Sequence, residues 1–342
     1  MSGPALGVVI VAYNSAGDLP ATLGALAPQL RDGDQVVVVD NASPDDSAAV
    51  ARRALPDAVV LETGVNGGFA GGTVAGARVV DGCELLLFLN PDAVPVPGCL
   101  DALRAAAAEH PEWGSWQALV TLPGGDEVNT AGNLVHFLGF GWAGGHGTAT
   151  AALDHAPREV GFASGAALVV RRDAWVATGG FFEQYFMYGE DLDLGLRLRL
   201  AGWENGVVPA ARVDHDYEFA KGDYKWFHLE RNRWWTLIGD YPTRLLLLLA
   251  PALLAFELAL LPVAARDGWL GAKLRAQRAA LRELPAMWRR RRAVQATRTV
   301  DARTFADGLT ASLDSPFLAT AHRIPGAAWL VGAYWRLVRA LL

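Results

Sequence analysis

Short, unbroken apolar runs alternate with helix-like stretches through residue 90. GVVIVAY (Gly7–Tyr13), QVVVVD (Gln35–Asp40), AVVLE (Ala58–Glu62) and ELLLFLN (Glu84–Asn90) read as strands. Between them, periodic apolar positions predict helices over Asp18–Leu30, from Ser43 or Asp45 to near Leu55, and after a glycine-rich start in AGGTVAGARVV (Ala70–Val80). Continuous apolar strands alternating with helices predict an α/β fold, a mostly parallel central sheet flanked by helices. In such sheets, ligands sit beyond the carboxyl ends of the strands. Those ends are Tyr13-Asn14, Asp40-Asn41, Asn66-Gly67-Gly68 and Asn90-Pro91-Asp92, so four polar or glycine-rich loops are expected on one rim. Each alone is ordinary turn chemistry.

Further along, Pro111–Trp142 mixes Gly, Trp and short apolar stretches without a clear period. GFASGAALVVRRDAW (Gly161–Trp175) predicts a loop, a strand and a helix start, and GVVPAARVDHDY (Gly206–Tyr217) another strand. In YGEDLDLGLRLRLAGW (Tyr188–Trp203), Leu192, Leu196 and Leu200 mark a helix whose first turn carries Glu190, Asp191 and Asp193. Acidic residues there offset the helix dipole and cap free N–H groups, so capping explains one or two of them without chemistry.

After Pro242 the character changes, which places a boundary between residues 1–242 and a helical region at 243–342. LLLLLAPALLAFELALLPVAA (Leu245–Ala265) approaches the roughly 20 residues of a membrane span, but Pro251, Glu257 and Pro262 interrupt it. A buried hairpin or a shallow interfacial segment is therefore expected at least as much as a full span. The next stretch places Leu270, Leu274, Leu281, Leu284 and Trp288 on one helical face among Arg and Lys. That pattern predicts a helix lying on an anionic membrane surface. The alternative is a helix packed on the domain with a solvated basic face.

Composition sharpens two points. The 342 residues are 52% hydrophobic and 19% charged, as in a folded chain with a large core. Net charge is −6, unevenly spread. Ten basic residues and only two acidic ones lie between Arg266 and Arg298, leaving 20 basic against 34 acidic elsewhere. An acidic body with a basic segment suits a membrane surface, and no nucleic acid partner is expected. Two cysteines, Cys83 and Cys99, give neither metal spacing nor a disulfide framework, and fit a reducing compartment. MSGPALGVVIVAYN lacks a basic leader before its apolar run, so it reads as a first strand rather than a signal peptide.

The chemistry gathers at Asn90-Pro91-Asp92 and at VDHDY. An aspartate with a neighbouring oxygen donor at a sheet rim suits a hard divalent cation that also binds a diphosphate. A later histidine, His215, suits manganese better than magnesium. Equally, Asn-Pro-Asp is a common turn, and a lone histidine is more often structural.

Seven stretches occur in order: VVIVAYN, VVVVDNAS, NGGFAGG, LLFLNPDA, FASGAALVVRRDAW, GGFFEQYFMYGEDLDLGLRLRLAGW and HLERNRWW. Together they resemble the inverting glycosyltransferases of family 2, with the GT-A fold, and most of all the bacterial branch holding rhamnosyltransferases and related cell-envelope enzymes. The resemblance implies roles residue by residue. Asp40 resembles the aspartate that binds the nucleotide's pyrimidine, and Tyr13 lies where a side chain can face the base. Asn66, Gly67 and Gly68 are similar to the nucleotide-sugar loop. Asn90 and Asp92 stand at the metal motif, with Asn in place of the first aspartate, and His215 resembles the late metal-ligating histidine for Mn or Mg. Asp191 matches the catalytic base, with Glu190 positioning it or the acceptor. The implied reaction transfers a sugar, rhamnose from dTDP-rhamnose foremost, to a hydroxyl of a polyprenyl-linked or polysaccharide acceptor. The implied place is the cytoplasmic face of the plasma membrane, peripheral or shallowly inserted.

Three rivals make contrary demands. A dinucleotide oxidoreductase needs G-x-G-x-x-G directly after the first strand, where this chain has AYNSAGD. A nucleotidyltransferase is expected to show a Gly- and Lys-rich first turn. A non-catalytic nucleotide-sugar-binding or membrane scaffold protein would not need Asp191, Asp92 and His215 together.

Overall fold

The computed structural model describes residues 3–216, 222–314 and 325–342; Tyr217, the last residue of one expected strand, lies outside them. The chain divides into two compact units. The first holds residues up to 133, 143–198 and 203–219; the second holds 134–142, 199–202 and 220–342.

In the first unit, β1 (Leu6–Ala12), α1 (Leu19–Leu26), β2 (Gln35–Asp40), α2 (Ser47–Ala54), β3 (Val59–Glu62), α3 (Gly68–Val79) and β4 (Leu85–Leu89) alternate as the apolar runs predict. Next come β5 (Ala93–Pro95), α4 (Cys99–Glu109), β6 (Trp113–Thr121) and β7 (Val128–Thr130). Short strands β8 (Asn133–Val135) and β9 (Gly141–Ala143) pair apart from the main sheet. β10 (Arg158–Val160), β11 (Ala167–Arg171), α5 (Arg172–Thr178), α6 (Glu190–Leu200) and β12 (Glu204–His215) complete the series.

The main sheet runs β10-β12-β6-β11-β4-β1-β2-β3, with β5 on β12 and β7 on β6. The β3-β2-β1-β4 half is parallel. β11 enters antiparallel to both β4 and β6, and β6 and β12 are again parallel. Val8, Ile10, Val38, Leu85, Leu87 and Leu89 are buried in one core with Leu19 and Leu23 of α1 and Leu100 and Leu103 of α4. On the opposite face α3 lies close against β1 because it carries glycine there. A Cβ on Gly76 would fall 2.4 Å from Val9, and one on Gly72 2.6 Å from Val11.

The register of β12 matters for the site. It slips between Val208 and Arg212, a local irregularity of the kind that bends a strand. Beyond the slip, β12 pairs with β5 so that His215 lies opposite Ala93, directly after Asp92.

The second unit is helical: α7 (Gly222–Asp240), α8 (Thr243–Arg266), α9 (Leu270–Ala296), α10 (Ala302–Asp307) and α11 (Ala327–Leu341). The expected hairpin does not form. α8 continues as one helix through Pro251 and Pro262. It is long and apolar enough to cross a membrane, by length and composition. Glu257 does not disturb its outer face, because the carboxylate turns inward to Arg233 of α7 and to Lys273 (2.8 Å) and Gln277 (2.6 Å) of α9. Leu247, Leu254, Leu258 and Leu261 remain exposed.

On α9 the expected apolar face is the outer one. Leu274, Leu281 and Trp288 are exposed, while Ala272, Ala276, Ala280 and Met287 face the interior. Lys273 and Arg291, two of the ten basic residues, are also buried. Lys273 bonds Glu230 at 2.7 Å, and Arg291 donates to the carbonyl of Tyr241 at 2.8 Å and to Thr243 Oγ1 at 2.9 Å. Small residues let α9 approach α7, and a buried cation persists where carboxylates and carbonyls surround it.

Candidate active site

The loops after β1 and β2 are tied together. Ala16 N–H donates to Asp45 Oδ2 (2.9 Å), and Ser15 N–H to Ser47 Oγ (2.9 Å). Asp40 ends β2 and is 7% exposed; its Oδ2 accepts from Ser43 N–H at 3.4 Å, while its buried Oδ1 has no hydrogen-bond partner. Tyr13, just beyond β1, is 52% exposed.

Asn41 is a residue whose importance the sequence did not reveal. Its buried amide spans to the loop before α3. Oδ1 accepts from Gly67 N–H (3.0 Å), and Nδ2 donates to Asn66 Oδ1 (3.0 Å) and to the Gly68 carbonyl (2.9 Å). Asn66 Oδ1 also accepts from Gly68 N–H at 2.8 Å. The loop Asn66-Gly67-Gly68 is therefore clamped to the end of β2, beside Asp40. The DNAS run hints at a turn, but the clamp crosses 25 residues and exists only in three dimensions.

β4 delivers Asn90 and Asp92, and β12 delivers His215. His215 Nε2 lies 3.1 Å from Asp92 Oδ1 and 3.3 Å from Asn90 Nδ2. Thr22 of α1 donates to the Pro91 carbonyl at 2.8 Å, fixing the turn between them. Among the described residues no group of three or more His, Cys, Asp and Glu side chains forms a metal cage. Asp18, at the start of α1, has its carboxyl raised by partial burial and by the charge of Asp92.

Glu190 and Asp191 open α6, and the two carboxylates differ from Asp193. Asp193 is no ordinary first-turn residue. It is fully buried, accepts from Tyr185 Oη–H at 2.8 Å and pairs with Arg197, whose Nε lies 2.8 Å away. Asp191 is half-buried; its Oδ2 accepts from Gly165 N–H at 3.1 Å and its Oδ1 from Leu192 N–H at 2.8 Å. Burial pushes its carboxyl up, and those N–H groups oppose the shift. Glu190 is buried with Oε2 unpartnered, and its carboxyl is pushed well up, first by burial and then by Asp191. Asp191 is joined to Asn90 through one short loop: Gly165 bonds Asp191, and Ala166 O accepts from Asn90 N–H at 3.0 Å.

Among the described residues, every non-glycine residue with positive φ lies beside these groups: Asn14 (56°), Ala42 (58°), Phe186 (64°) and Tyr188 (67°). Such backbone costs energy, and it clusters where function demands it. The rim thus combines a buried carboxylate acceptor, a glycine loop, a carboxylate–imidazole corner and a raised carboxylate. That arrangement can bind a nucleotide diphosphate and accept a proton.

Comparison with known proteins shows the family. The model of the glycosyl transferase family 2 matches residues 7–174. The N-acetylglucosaminyl-diphospho-decaprenol L-rhamnosyltransferase of Mycobacterium tuberculosis is 33% identical over 240 residues, covering 64% of this chain and 78% of the relative. The chain belongs to glycosyl transferase family 2. Solved structures share the GT-A fold of this family 2 glycosyltransferase. GalNAc-T7 with UDP, GalNAc and Mn2+ aligns with a TM-score of 0.58 at 14% identity, over 71% of this chain and 49% of that one. S. aureus TarS in complex with UDP aligns with a TM-score of 0.51 at 17% identity, over 98% of this chain and 90% of that one.

Proposed function

We propose that this chain is an inverting glycosyltransferase of cell-envelope glycan synthesis that moves L-rhamnose from dTDP-rhamnose to a hydroxyl of a polyprenyl-linked or polysaccharide acceptor. The observation that carries the chemistry is Asp191, a raised carboxylate aimed by two backbone N–H groups at the rim. The sugar and the lipid-linked acceptor rest on the printed activity of the mycobacterial relative. Catalysis is assigned to residues 1–242 and membrane contact to residues 243–342.

Asp40 Oδ1 accepts the pyrimidine N–H of the donor, which gives that buried oxygen the partner it lacks. Tyr13 covers the base, and Asn66, Gly67 and Gly68 let the donor approach the backbone. Asp191 takes the acceptor hydroxyl's proton as that oxygen attacks the anomeric carbon from the side opposite the leaving diphosphate, so one displacement inverts the centre. Glu190 holds Asp191 or the acceptor in place.

The Asp92 corner offers donors that suit a divalent cation, Mn or Mg: a carboxylate oxygen with an imidazole nitrogen 3.1 Å away, and beside them Asn90, whose amide oxygen rather than the Nδ2 now 3.3 Å from His215 would be its ligand. When bound there, the cation offsets the negative charge of the departing diphosphate. A chelator should abolish activity, Mn2+ or Mg2+ should restore it, and Asp92→Ala should weaken metal-dependent diphosphate binding. Full turnover in excess chelator removes the metal from the mechanism.

A donor screen that reads released nucleoside diphosphate tests the main reading. dTDP-rhamnose with a polyprenyl-diphosphate-linked GlcNAc acceptor should give the fastest release. A clear preference for another nucleotide sugar overturns the rhamnose assignment.

The outer face of α8 supports docking on the cytoplasmic leaflet. Its leucines are exposed and Glu257 is turned away, while Arg275, Arg278, Arg282, Arg289 and Arg292 of α9 are exposed. Each such cation near an anionic surface contributes about 1 kcal/mol, and salt screens it. Binding to anionic vesicles should weaken in high salt yet persist through the leucines. Leu254→Glu with Leu258→Glu should remove the persistent part. Sedimentation unchanged by salt and by that double variant contradicts this docking.

A further inference from the structure

Phe186 sits in an unusual backbone state. Its φ and ψ are 64° and −62°, and Met187 N–H donates to the Tyr185 carbonyl at 2.7 Å. This is a γ-turn of the rare positive-φ form, strained for any side chain and most of all for a bulky one. It lies four residues before Glu190.

Three consecutive residues at the start of α3 hold this region. Gly68, with φ +69°, packs so tightly that a Cβ there would lie 2.2 Å from the Phe186 carbonyl oxygen. Ala70 N–H donates to that same oxygen at 3.1 Å. Between them, the Phe69 ring abuts Gly165: a Cβ on Gly165 would meet Phe69 at 3.1 Å and Asp191 Oδ2 at 3.8 Å. Gly165 N–H is also the donor that orients Asp191. The loop that Asn41 clamps beside Asp40 therefore braces the backbone leading to α6 and the peptide that aims its carboxylate.

We propose that the γ-turn at Phe186 is a latch that transmits the position of the nucleotide-sugar loop to Asp191, with Asn41 and Phe186 as positioning residues. The role of Asp191 in this inference rests on the function proposed above. An ordinary structural contact would not need a strained turn at this point. Gly68 closes over the Phe186 carbonyl and Ala70 N–H holds it, so these contacts fix the positive-φ geometry from which the chain enters α6. Displacing the loop lets the turn relax, and Asp191 loses its aim while still present and titratable.

Two substitutions at Phe186 separate backbone geometry from side-chain packing. Both delete the ring. Glycine adopts positive φ freely, whereas valine is strongly opposed to it. Phe186→Gly should keep kcat within about threefold of wild type at saturating dTDP-rhamnose, and Phe186→Val should lose about tenfold or more. Amide hydrogen exchange reads the latch without any donor. Over residues 184–193, Phe186→Val should exchange about tenfold faster than wild type and Phe186→Gly close to it. Asn41→Ala, which leaves Phe186 intact, should speed exchange both at 66–72 and at 186–193 and should lower kcat as well as raise donor KM. The proposal is overturned if glycine and valine behave alike, or if the Asn41→Ala effect stops at residue 72 with kcat unchanged. If wild type releases no nucleoside diphosphate, the function reading fails, and the exchange comparison still decides the latch.

Discussion

Asp191→Asn should abolish sugar transfer while leaving the fold and donor binding in place. The change is nearly isosteric, and the amide oxygen can still accept from Gly165 N–H. What disappears is a basic oxygen. Loss of a general base costs about 10²–10⁴-fold in rate. The pH profile gives a second reading. Burial raises the Asp191 carboxyl above its ordinary value, so the ionised base is lost at a higher pH than for an exposed aspartate. Wild-type kcat should therefore decline on the acid side earlier than an exposed aspartate would dictate. Steady-state rates of the purified variant decide the matter. Retention of more than about a tenth of wild-type turnover would falsify the assignment and move attention to Glu190.

Two positions further on, Asp193→Ala should act on stability. Asp193 is buried against Tyr185 and Arg197, and Arg197 also donates to the carbonyls of Thr178 (2.8 Å) and Gly180 (2.7 Å). Truncation leaves the Arg197 guanidinium buried without its counter-charge, which typically costs about 3–5 kcal/mol. Denaturant unfolding should show that loss, against less than about 1 kcal/mol for Asp191→Asn, whose charge is already disfavoured by burial. Equal stability of the two variants would mean that Arg197 finds compensation elsewhere. The contrast matters because the three carboxylates of one helical turn look alike in the sequence.

Several elements were legible in advance. β1, β2 and β4 are continuous apolar runs that a strand covered on both faces requires, and their polar ends mark the rim. α6 announced itself by leucine spacing. β6 was not legible. It is buried throughout, yet its sequence WGSWQALVT carries Ser115 and Gln117 inward, so it shows neither alternation nor an unbroken apolar run. Ser115 is satisfied by Asn205, 90 residues away, which no local window contains. On α9 the periodicity was visible but its direction was not. The leucine stripe faces outward because the buried side chains of α7 and α8 offer Glu230 and Glu257 to Lys273.

The sequence by itself determined the alternation of strands and helices, the loops that carry Asp40, Asn66–Gly68, Asn90, Asp92 and His215, and the helix that starts at Glu190. Those follow from backbone periodicity and turn chemistry, which act over a few residues. Tertiary structure alone decided which partners these groups meet. The antiparallel insertion of β11 brings Gly165 to Asp191, the slipped register of β12 brings His215 to Asp92, and the partners Tyr185 and Arg197 separate Asp193 from Asp191 and Glu190. Strand direction, register and desolvation depend on contacts between segments far apart in the chain; hydrophobic patterning within a segment limits which face is buried but does not name the distant segment it meets.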